Sequence, residues 1–347
     1  MRVLATIGFS FSAGVFLAAL LPWNGWQLYA AGGVLLLALA WLFAARKQKY
    51  FRRGLLILLP LAVSLAYFAG YDHLVRQPIE DRCGAASDFT ATVCDWPQAT
   101  ERGAKITVEL EGYHRARAVL YGEAELLAAR PGDTVTGTAQ WQSAAHFDSD
   151  DVTHFNARGV YALLYGREDV RLSAGDGDAL RWLPQRAGKA FREKVAAIWD
   201  DPRVSGFLTA ELTGDKSAMD DGDYLAMQET GLAHLFAVSG LHCAFLVTLL
   251  ALLISRRQRL LCAVTIPLLL FYMVMVGMSP SVVRACIMQI FLLIAPLFRR
   301  GSDPLTSLAA ALLVILLCNP FAAASVSLQL SFSATLGMVL LSPRLYK

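Results

Sequence analysis

The sequence predicts a polytopic α-helical membrane protein of about eight spans with an inserted, extracytoplasmic all-β domain of the OB-like barrel type. Three observations predict this fold class. Hydrophobic residues make up 56% of the chain and charged residues 17%, against about 25% charged in soluble domains. Long apolar runs flank residues 72–180, where short alternating segments replace them. Residues 1–71 carry six basic residues and no acid, whereas residues 72–180 carry 10 basic and 18 acidic residues.

Residues 1–71 are predicted to form a first membrane region of three spans. A span needs about 17–25 mostly apolar residues, and the runs Val3–Leu21, Leu28–Ala45 and Gly54–Tyr71 meet this requirement. A signal peptide is the alternative for the first run, disfavoured because no clear small-residue cleavage site leads into a polar mature start. The loop Arg46–Arg53 is basic, and the positive-inside rule therefore places it in the cytoplasm. Because two spans separate this loop from the N-terminus, the N-terminus lies in the cytoplasm as well.

Residues 72–180 are predicted to form an extracytoplasmic β domain. The alternation of apolar and polar side chains that marks a half-buried strand is clearest in Lys105–Glu111. Five short strands suit a small barrel, and the OB-fold is the member of that class that binds oligonucleotides. The predicted strands are Asp88–Trp96, Ala104–Glu111, Arg117–Tyr121, Thr134–Trp141 and Val160–Leu172.

Aromatic and basic side chains of this domain are candidates for DNA contact, because bases stack on aromatic rings and cations bind phosphates. The candidates are Tyr113, Arg115, Arg117 and Trp141, with Tyr121, Tyr161 and Tyr165 as further aromatic faces. The acidic balance of the domain opposes an electrostatic DNA footprint. Strand aromatics are also more often core than platform, so a structural role is the favoured alternative.

Two cysteines, Cys83 and Cys94, lie in the same domain. An oxidising compartment would preserve a disulfide between them, and two unpaired thiols are the open alternative. The other four cysteines lie in apolar runs, where cysteine packs as a small hydrophobe.

Residues 181–230 are predicted to connect the β domain to a second membrane region. Arg181–Trp199 has the period of an amphipathic helix, which either lies in the membrane interface or packs on the barrel. Val204–Tyr224 is predicted as a polar connection with a short helix around Gly214. Residues 231–347 then contain the predicted spans Gly231–Ser255, Leu260–Met278, Ser281–Phe298, Leu305–Cys318 and Val326–Leu341.

The chain from residue 212 onward carries a set of motifs, the first in the connection and the others in the second membrane region. They are Leu212-Thr-Gly-Asp-Lys216, Gly231-Leu-Ala-His234, Val238-Ser-Gly-Leu-His242, Ser279-Pro-Ser-Val-Val-Arg284-Ala and Leu328-Gln-Leu-Ser331-Phe332. With them the chain resembles the ComEC family, membrane channels that bring single-stranded DNA into competent bacteria. The resemblance implies a channel domain at 231–347 in the bacterial cytoplasmic membrane, below an OB-like outer domain.

The resemblance also implies partners. They are single-stranded DNA, an outer DNA receptor, a strand-degrading nuclease and a cytoplasmic ATPase. Membrane lipid surrounds the spans, and a second copy of the chain in a homo-oligomer is a further expectation.

Polar groups within the apolar runs are candidates for a transport path, because such groups are tolerated in a membrane where they face protein or water. The candidate lining residues are His234, Ser239, Gly240, His242, Ser279, Ser281, Arg284, Gln329 and Ser331. The alternative for the histidines is hydrogen bonding to neighbouring helices. Arg284 has three open roles, namely attraction of DNA phosphates, extension to the lipid headgroups and a structural contact.

The sequence shows no enzyme site. It has no Gly-x4-Gly-Lys-Ser/Thr phosphate loop, and its six histidines lack zinc-ligand spacing, so we expect neither a cofactor nor a metal. The soluble metallo-β-lactamase-like domain of many ComEC proteins is expected to be absent from this chain. A transporter for another solute, or a scaffold whose outer β domain binds protein, are the alternative functions.

Overall fold

The computed structural model describes most of the chain and divides it into two compact units. One unit comprises residues 1–177 and 305–347, and the other comprises residues 178–304. The described residues are 3–20, 26–44, 51–101, 103–114, 116–145, 154–167, 169–177, 179–215, 219–231, 240–254, 257–298 and 303–345.

Three apolar helices begin the first unit, α1 (Val3–Leu20), α2 (Trp26–Ala44) and α3 (Phe51–Tyr71). Helices α1 and α2 both pack on α3. Gly14 of α1 allows a close approach, since a Cβ atom there would lie 3.1 Å from the Leu61 carbonyl oxygen of α3. Small residues at helix contacts are typical of membrane helix packing.

Helix α3 continues without a break into the β domain. A π-helical turn (Asp72–Arg76) and the short helix α4 (Gln77–Glu80) extend it, and the whole apolar helix Arg53–Glu80 has 28 residues. The end of this candidate span is therefore separated from the first strand, which begins at Ala86, by a short turn.

The β domain is a closed five-stranded barrel. Its strands are β1 (Ala86–Val93), β3 (Gly103–Leu110), β4 (Arg117–Gly122), β5 (Thr134–Ser143) and β6 (Val160–Gly166). They follow the order β1-β3-β4-β6-β5, and β5 pairs with β1 to close the ring. All these neighbours are antiparallel except β4 and β6, which are parallel. Two short strands, β2 (Gln98–Thr100) and β7 (Arg171–Ser173), pair with β3 and β5 respectively.

The barrel core follows from alternation along the strands. In β3, Ile106, Val108 and Leu110 are almost fully buried, whereas the residues between them are partly exposed. Each such side chain contributes about 1.5–3 kcal/mol when removed from water. The strand pairing confirms the predicted barrel, and its core side chains alternate with the period of two that predicted it.

Two details of the strand prediction are wrong. The predicted strand Val160–Leu172 is interrupted after Gly166, because Arg167 donates its backbone N–H to the Thr138 carbonyl 3.1 Å away and Val170 closes a turn on Arg167. The predicted strand Asp88–Trp96 ends at Val93.

Cys83 and Cys94 are both described, and no disulfide joins them. The Cys83 thiol lies 3.4 Å from the Ile79 carbonyl oxygen, and the Cys94 sulfur lies 3.6 Å from that of Thr92.

The second unit is helical. It contains α6 (Leu183–Ile198), α7 (Pro202–Thr213), α8 (Asp221–Glu229), α9 (Gly240–Ile254), α10 (Gln258–Met275) and α11 (Pro280–Ile294), which follow the short helix α5 (His154–Ala157) of the first unit. The amphipathic helix predicted at Arg181–Trp199 is α6. The connection predicted at Val204–Tyr224 instead forms two helices. Asp201 and Asp220 cap their N-termini, and Gly214 ends α7 in a left-handed conformation with φ 74°.

By length and composition, four helices of the described residues can cross a membrane: Val3–Leu20, Arg53–Glu80, Gln258–Met275 and Pro280–Phe298. Shorter apolar helices lie at Leu28–Ala38, Gly240–Ile254, Pro304–Cys318 and Val326–Ser342. These positions are those of the predicted spans, although the count of eight stays a prediction. The architecture is that of a membrane protein with a β domain.

The first unit is completed by α12 (Pro304–Cys318) and α13 (Val326–Leu345), which are joined by a short turn. The Asn319 side chain in this turn binds the barrel, donating from Nδ2 to the carbonyl oxygens of Asn156 (2.9 Å) and Ala157 (3.1 Å). Its Oδ1 atom accepts from the Phe321 backbone N–H and from the Tyr161 hydroxyl. The barrel and the apolar helices thus share a buried polar junction.

Aromatic and charged groups surround this junction. The ring of Phe321 packs 5.3 Å from that of Phe68 in α3, and the Arg76 guanidinium lies over it at 5.7 Å. Arg76 also pairs with Asp72 and with Glu80, so its charge is neutralised where it is buried. Burial raises the pKa of the Tyr161 phenol far above its ordinary range, and the hydroxyl therefore stays a donor.

Candidate functional site

Of the candidate lining residues of the second unit, Gly240 lies where α9 meets α11. A Cβ atom at Gly240 would lie 3.6 Å from the Ala285 Cβ atom, and the Cys243 and Cys286 sulfur atoms are 3.5 Å apart. Both cysteines are fully buried. Because residues 240 and 243 face residues 285 and 286, the first turns of both helices pack closely against each other.

His242 lies on a different side of α9 from Cys243. Its Nε2 atom is 3.7 Å from a carboxylate oxygen of Glu211 in α7, and both side chains are partly exposed. The imidazole and the carboxylate attract each other when the imidazole is protonated. His234 and Ser239 lie outside the described residues, so their place along a transport path stays a prediction.

Arg284 lies one turn into α11, is partly buried, and directly precedes Ala285 and Cys286, which face α9. It is therefore at the α9–α11 contact. This position is compatible with the structural role and with attraction of phosphates, and it places a cation beside the start of α9.

The two serines of the same motif begin α11. Ser279 is the exposed N-cap residue, and its carbonyl oxygen accepts from the Val283 N–H at 3.0 Å. Ser281 is partly buried in the first turn. Backbone N–H groups of a first helical turn carry partial positive charge, so this end of α11 adds to the positive potential around Arg284.

Gln329 and Ser331 belong to the first unit, in α13. The Gln329 side chain donates to the Ala323 carbonyl oxygen at 2.9 Å, which closes the turn before α13. The Ser331 carbonyl oxygen accepts from the Thr335 hydroxyl. Gln329 thus has a local partner in the turn before its own helix.

Ion pairs on α7 and in its C-terminal turn were missed by the sequence analysis. Glu211 faces His242, and the carboxylate of Asp215 lies 3.3 Å from the Arg192 guanidinium of α6. The signal for Glu211 is an acidic residue within the apolar stretch before Gly214-Asp215. Its partner lies 31 positions later, so no local pattern could identify the pair.

The outer-domain candidates occupy different environments. Trp141 is 1% exposed and donates from Nε1 to the Ser87 carbonyl oxygen, so its ring has no open face for a base and belongs to the core. Tyr113 is partly buried between Trp141 and the Arg82 guanidinium, which lies 5.2 Å above its ring. Arg117 is exposed at the start of β4, and Arg115 lies outside the described residues.

A different aromatic pair lies on the outer face of the barrel. The rings of Tyr121 and Tyr165 stack with centroids 5.3 Å apart and planes 14° apart, and Tyr165 is 37% exposed. In the strand register Lys105 is opposite Tyr121, and Gln140 is opposite Tyr165. A cation, two stacked rings and an amide therefore form one row across four strands.

Within the described residues, no three His, Cys, Asp or Glu side chains converge as metal ligands would.

Comparison with known proteins agrees with the motifs. Residues 212–347 match the family described as "Competence protein". The chain is 32% identical over 144 residues to ComE operon protein 3 of Bacillus subtilis (strain 168), and the alignment covers 41% of this chain and 19% of that protein. The chain thus matches about a fifth of the relative's length, and no solved structure matches. Residues 212–347 therefore carry the sequence of the competence-protein family, the ComEC family that the motifs resemble.

Proposed function

We propose that the chain takes part in DNA uptake during natural transformation and that its apolar helices conduct a single DNA strand across the cytoplasmic membrane. The observation that carries this proposal is the family match of residues 212–347. These residues include the helix pair α9–α11 with His242 and Arg284 at its start.

The arrangement of this helix pair supports a polar path. Cationic and hydrogen-bonding groups lie beside apolar helices here, namely the side chains of Arg284 and His242 and the N-terminal turn of α11. Polar groups are costly inside a membrane, so their presence there indicates a function. Arg284 suits a phosphate because its guanidinium offers a planar pair of donors. The path needs no bound cofactor, and the driving force comes from partners.

The barrel supports a role in receiving the strand. We assign it to the OB-like class, because its five strands close in the order β1-β3-β4-β6-β5 with a parallel β4–β6 pair. OB-folds bind single strands with basic grooves and stacking rings. The Tyr121–Tyr165 pair with Lys105 provides such a surface, although the domain as a whole is acidic.

The charge distribution supports a topology with eight spans, a cytoplasmic N-terminus and residues 72–230 outside. Residues 1–71 and 231–347 carry six and eight basic residues against a single acid, Asp303, so positive charge is in excess there, as the positive-inside rule requires of cytoplasmic loops. An outer DNA receptor, a nuclease and a cytoplasmic ATPase are the partners that such a conduit would need.

The conduit is tested by transformation frequency in cells that express variants at equal level. We expect His242→Ala and Arg284→Ala to reduce uptake of labelled DNA. Thr248→Ala is a matched control on α9, because Thr248 is exposed and its hydroxyl bonds only to its own helix at the Ala244 carbonyl oxygen. Unchanged uptake in both variants would favour the transport of another solute.

The barrel surface is tested by oligonucleotide binding to the purified full chain. Each base stacked on an aromatic ring contributes about 1–3 kcal/mol, so Tyr121→Ala or Tyr165→Ala is expected to weaken binding about 5- to 100-fold. Tyr121→Phe and Tyr165→Phe keep the ring and should bind as the parent does. If the parent itself shows no salt-sensitive affinity, the barrel does not receive DNA, and a protein-binding scaffold becomes the better interpretation.

A further inference from the structure

Helix α6 exposes a stripe of large apolar side chains. Leu183, Phe191 and Ile198 are 39%, 38% and 68% exposed, and their spacing of eight and seven residues places them on one face of the helix. Trp199, at the end of the helix, is also largely exposed. A stripe of this kind is unfavourable in water, since burial of each such side chain is worth about 1.5–3 kcal/mol.

The neighbouring face of α6 is held against the end of a candidate span. Gly188 and Val195 are buried there, and a Cβ atom at Gly188 would lie 3.3 Å from the Met275 carbonyl oxygen. Met275 is the last residue of α10, which is long and apolar enough to cross a membrane. Because α10 ends at Met275, α6 lies at the level where a membrane surface would be.

The remaining face of α6 is charged, with an excess of cations. This face carries Arg186, Lys189 and Arg192 against a single acidic residue, Glu193. Lys194 lies beside the apolar stripe, three residues after Phe191 and four before Ile198. Lys189 and Glu193 are both well exposed, with their charged groups 3.9 Å apart. Cations beside an apolar stripe complement the anionic headgroups of a lipid leaflet.

Helix α7 extends the apolar surface. Val204 and Phe207 are 40% and 37% exposed, and they line a groove of about 520 Å³ with Leu208, Met219 and Met227. The ion pair between Arg192 and Asp215 links α6 to the turn after α7. Because this ion pair links the two helices, we treat the exposed apolar side chains of α6 and α7 as one surface.

We propose that α6 lies in the membrane interface, with Leu183, Phe191 and Ile198 among the acyl chains of the leaflet at the Met275 end of α10. The partner of this surface is bilayer lipid. The cationic side chains lie at the level of the headgroups, and α7 contacts the same leaflet through Phe207. This inference is independent of the transported substrate.

Photo-crosslinking of the full chain in its membrane tests the proposal. A diazirine amino acid is placed at position 191 or 198, and the membrane is irradiated. The peptide that contains the probe is then analysed by mass spectrometry. We expect adducts with phospholipid at both positions. The matched control is a probe at position 193, which is on the charged face of the same helix, and it should give several-fold less lipid adduct.

The outcomes separate a membrane surface from a protein surface. Adducts at 191 and 198 with another segment of the chain, or lipid adducts no more abundant than at 193, would overturn the proposal and make α6 a surface helix packed on protein. Reconstitution in vesicles of phosphatidylcholine alone and of phosphatidylcholine with phosphatidylglycerol provides a second measurement. Anionic lipid should increase the adduct yield at 191, and equal yields would contradict the role of the cationic face.

Discussion

Gly240 determines how closely α9 and α11 can approach. A methyl group fits at this position, because a Cβ atom would be in ordinary contact with Ala285 at 3.6 Å. A larger side chain would have to enter the space between the helices, where Cys243 and Cys286 are already fully buried.

Cross-linking of Cys243 to Cys286 can measure how closely α9 and α11 approach each other. The two sulfur atoms are 3.5 Å apart, and a disulfide needs about 2.05 Å, so a small movement permits oxidation. We expect copper phenanthroline to cross-link Cys243 to Cys286 in the parent and in Gly240→Ala, and to do so much less in Gly240→Leu. Peptide mapping under non-reducing conditions measures the yield. Equal yields in all three proteins would show that Gly240 does not control the helix contact.

Cys83 differs from an ordinary exposed thiol. Burial, together with the nearby Glu80 carboxylate, raises its pKa to about 11, and only the thiolate reacts readily with alkylating agents. The fraction of thiolate is therefore small at pH 8 and increases as the pH approaches 11. We expect iodoacetamide labelling of Cys83 in the folded chain to rise steeply over this range. A labelling profile that levels off near pH 9, as in the unfolded chain, would contradict this pKa.

Single residues show where sequence patterns stop being informative. Trp141 and Tyr165 are both aromatic residues of strands, and composition cannot tell that one is in the core and the other on the outer face. Tyr165 is next to the buried Leu164 and so faces outward, and Trp141 is two positions from the buried Ala139 and so faces inward. These assignments require that the strand ends and the register are known. The stacked pair of Tyr121 and Tyr165 depends on the β4–β6 pairing, which joins segments 44 positions apart.

The elements themselves were predictable to a large extent. Apolar runs and period-two alternation are local signals, so the apolar helices, the five barrel strands and α6 follow from them. The helices α7 and α8 were missed in part because they are short, with 12 and nine residues, and because Gly214 ends the first of them within the predicted connection. The continuation of α3 has a local signal that was missed, since Asp72, Arg76 and Glu80 are each four residues apart and their side chains pair.

Asn319 connects elements that are distant in sequence. Its two N–H donors satisfy carbonyl oxygens more than 160 positions earlier, a contact that no local pattern predicts. We expect Asn319→Ala to destabilise the first unit by about 1–3 kcal/mol, because buried acceptors lose their partners. Asn319→Asp should also destabilise, because it places an oxygen against those carbonyl groups.

Thermal unfolding of the purified protein measures this effect. Gln98→Ala, in the exposed strand β2, is the matched control and should leave the midpoint nearly unchanged. A midpoint for Asn319→Ala equal to that of the control would show that the junction does not stabilise the barrel on the helices.

At the scale of the whole molecule, charge separates the chain into regions. Residues 231–347 carry eight basic residues and one acid, whereas the β domain is acidic. This asymmetry is a property of the sequence alone and predicts sidedness without any structure. Packing within each unit, in contrast, depends on contacts such as Gly188–Met275 that are defined only in three dimensions.

Sidedness gives the last prediction. Alkaline phosphatase is active only where its disulfides form, outside the cytoplasm. We expect a fusion after Gly175, which follows the barrel, to be active, and a fusion after Lys49, in the basic loop between the second and third predicted spans, to be inactive. Green fluorescent protein at the same positions, which we expect to fluoresce only from the cytoplasm, should give the inverse pattern. Replacement of Arg46, Lys47 and Lys49 by Gln removes the charge that retains this loop, so phosphatase activity after position 49 should then rise. Activity after Lys49 in the parent chain, with none after Gly175, would reverse the topology and place the barrel in the cytoplasm.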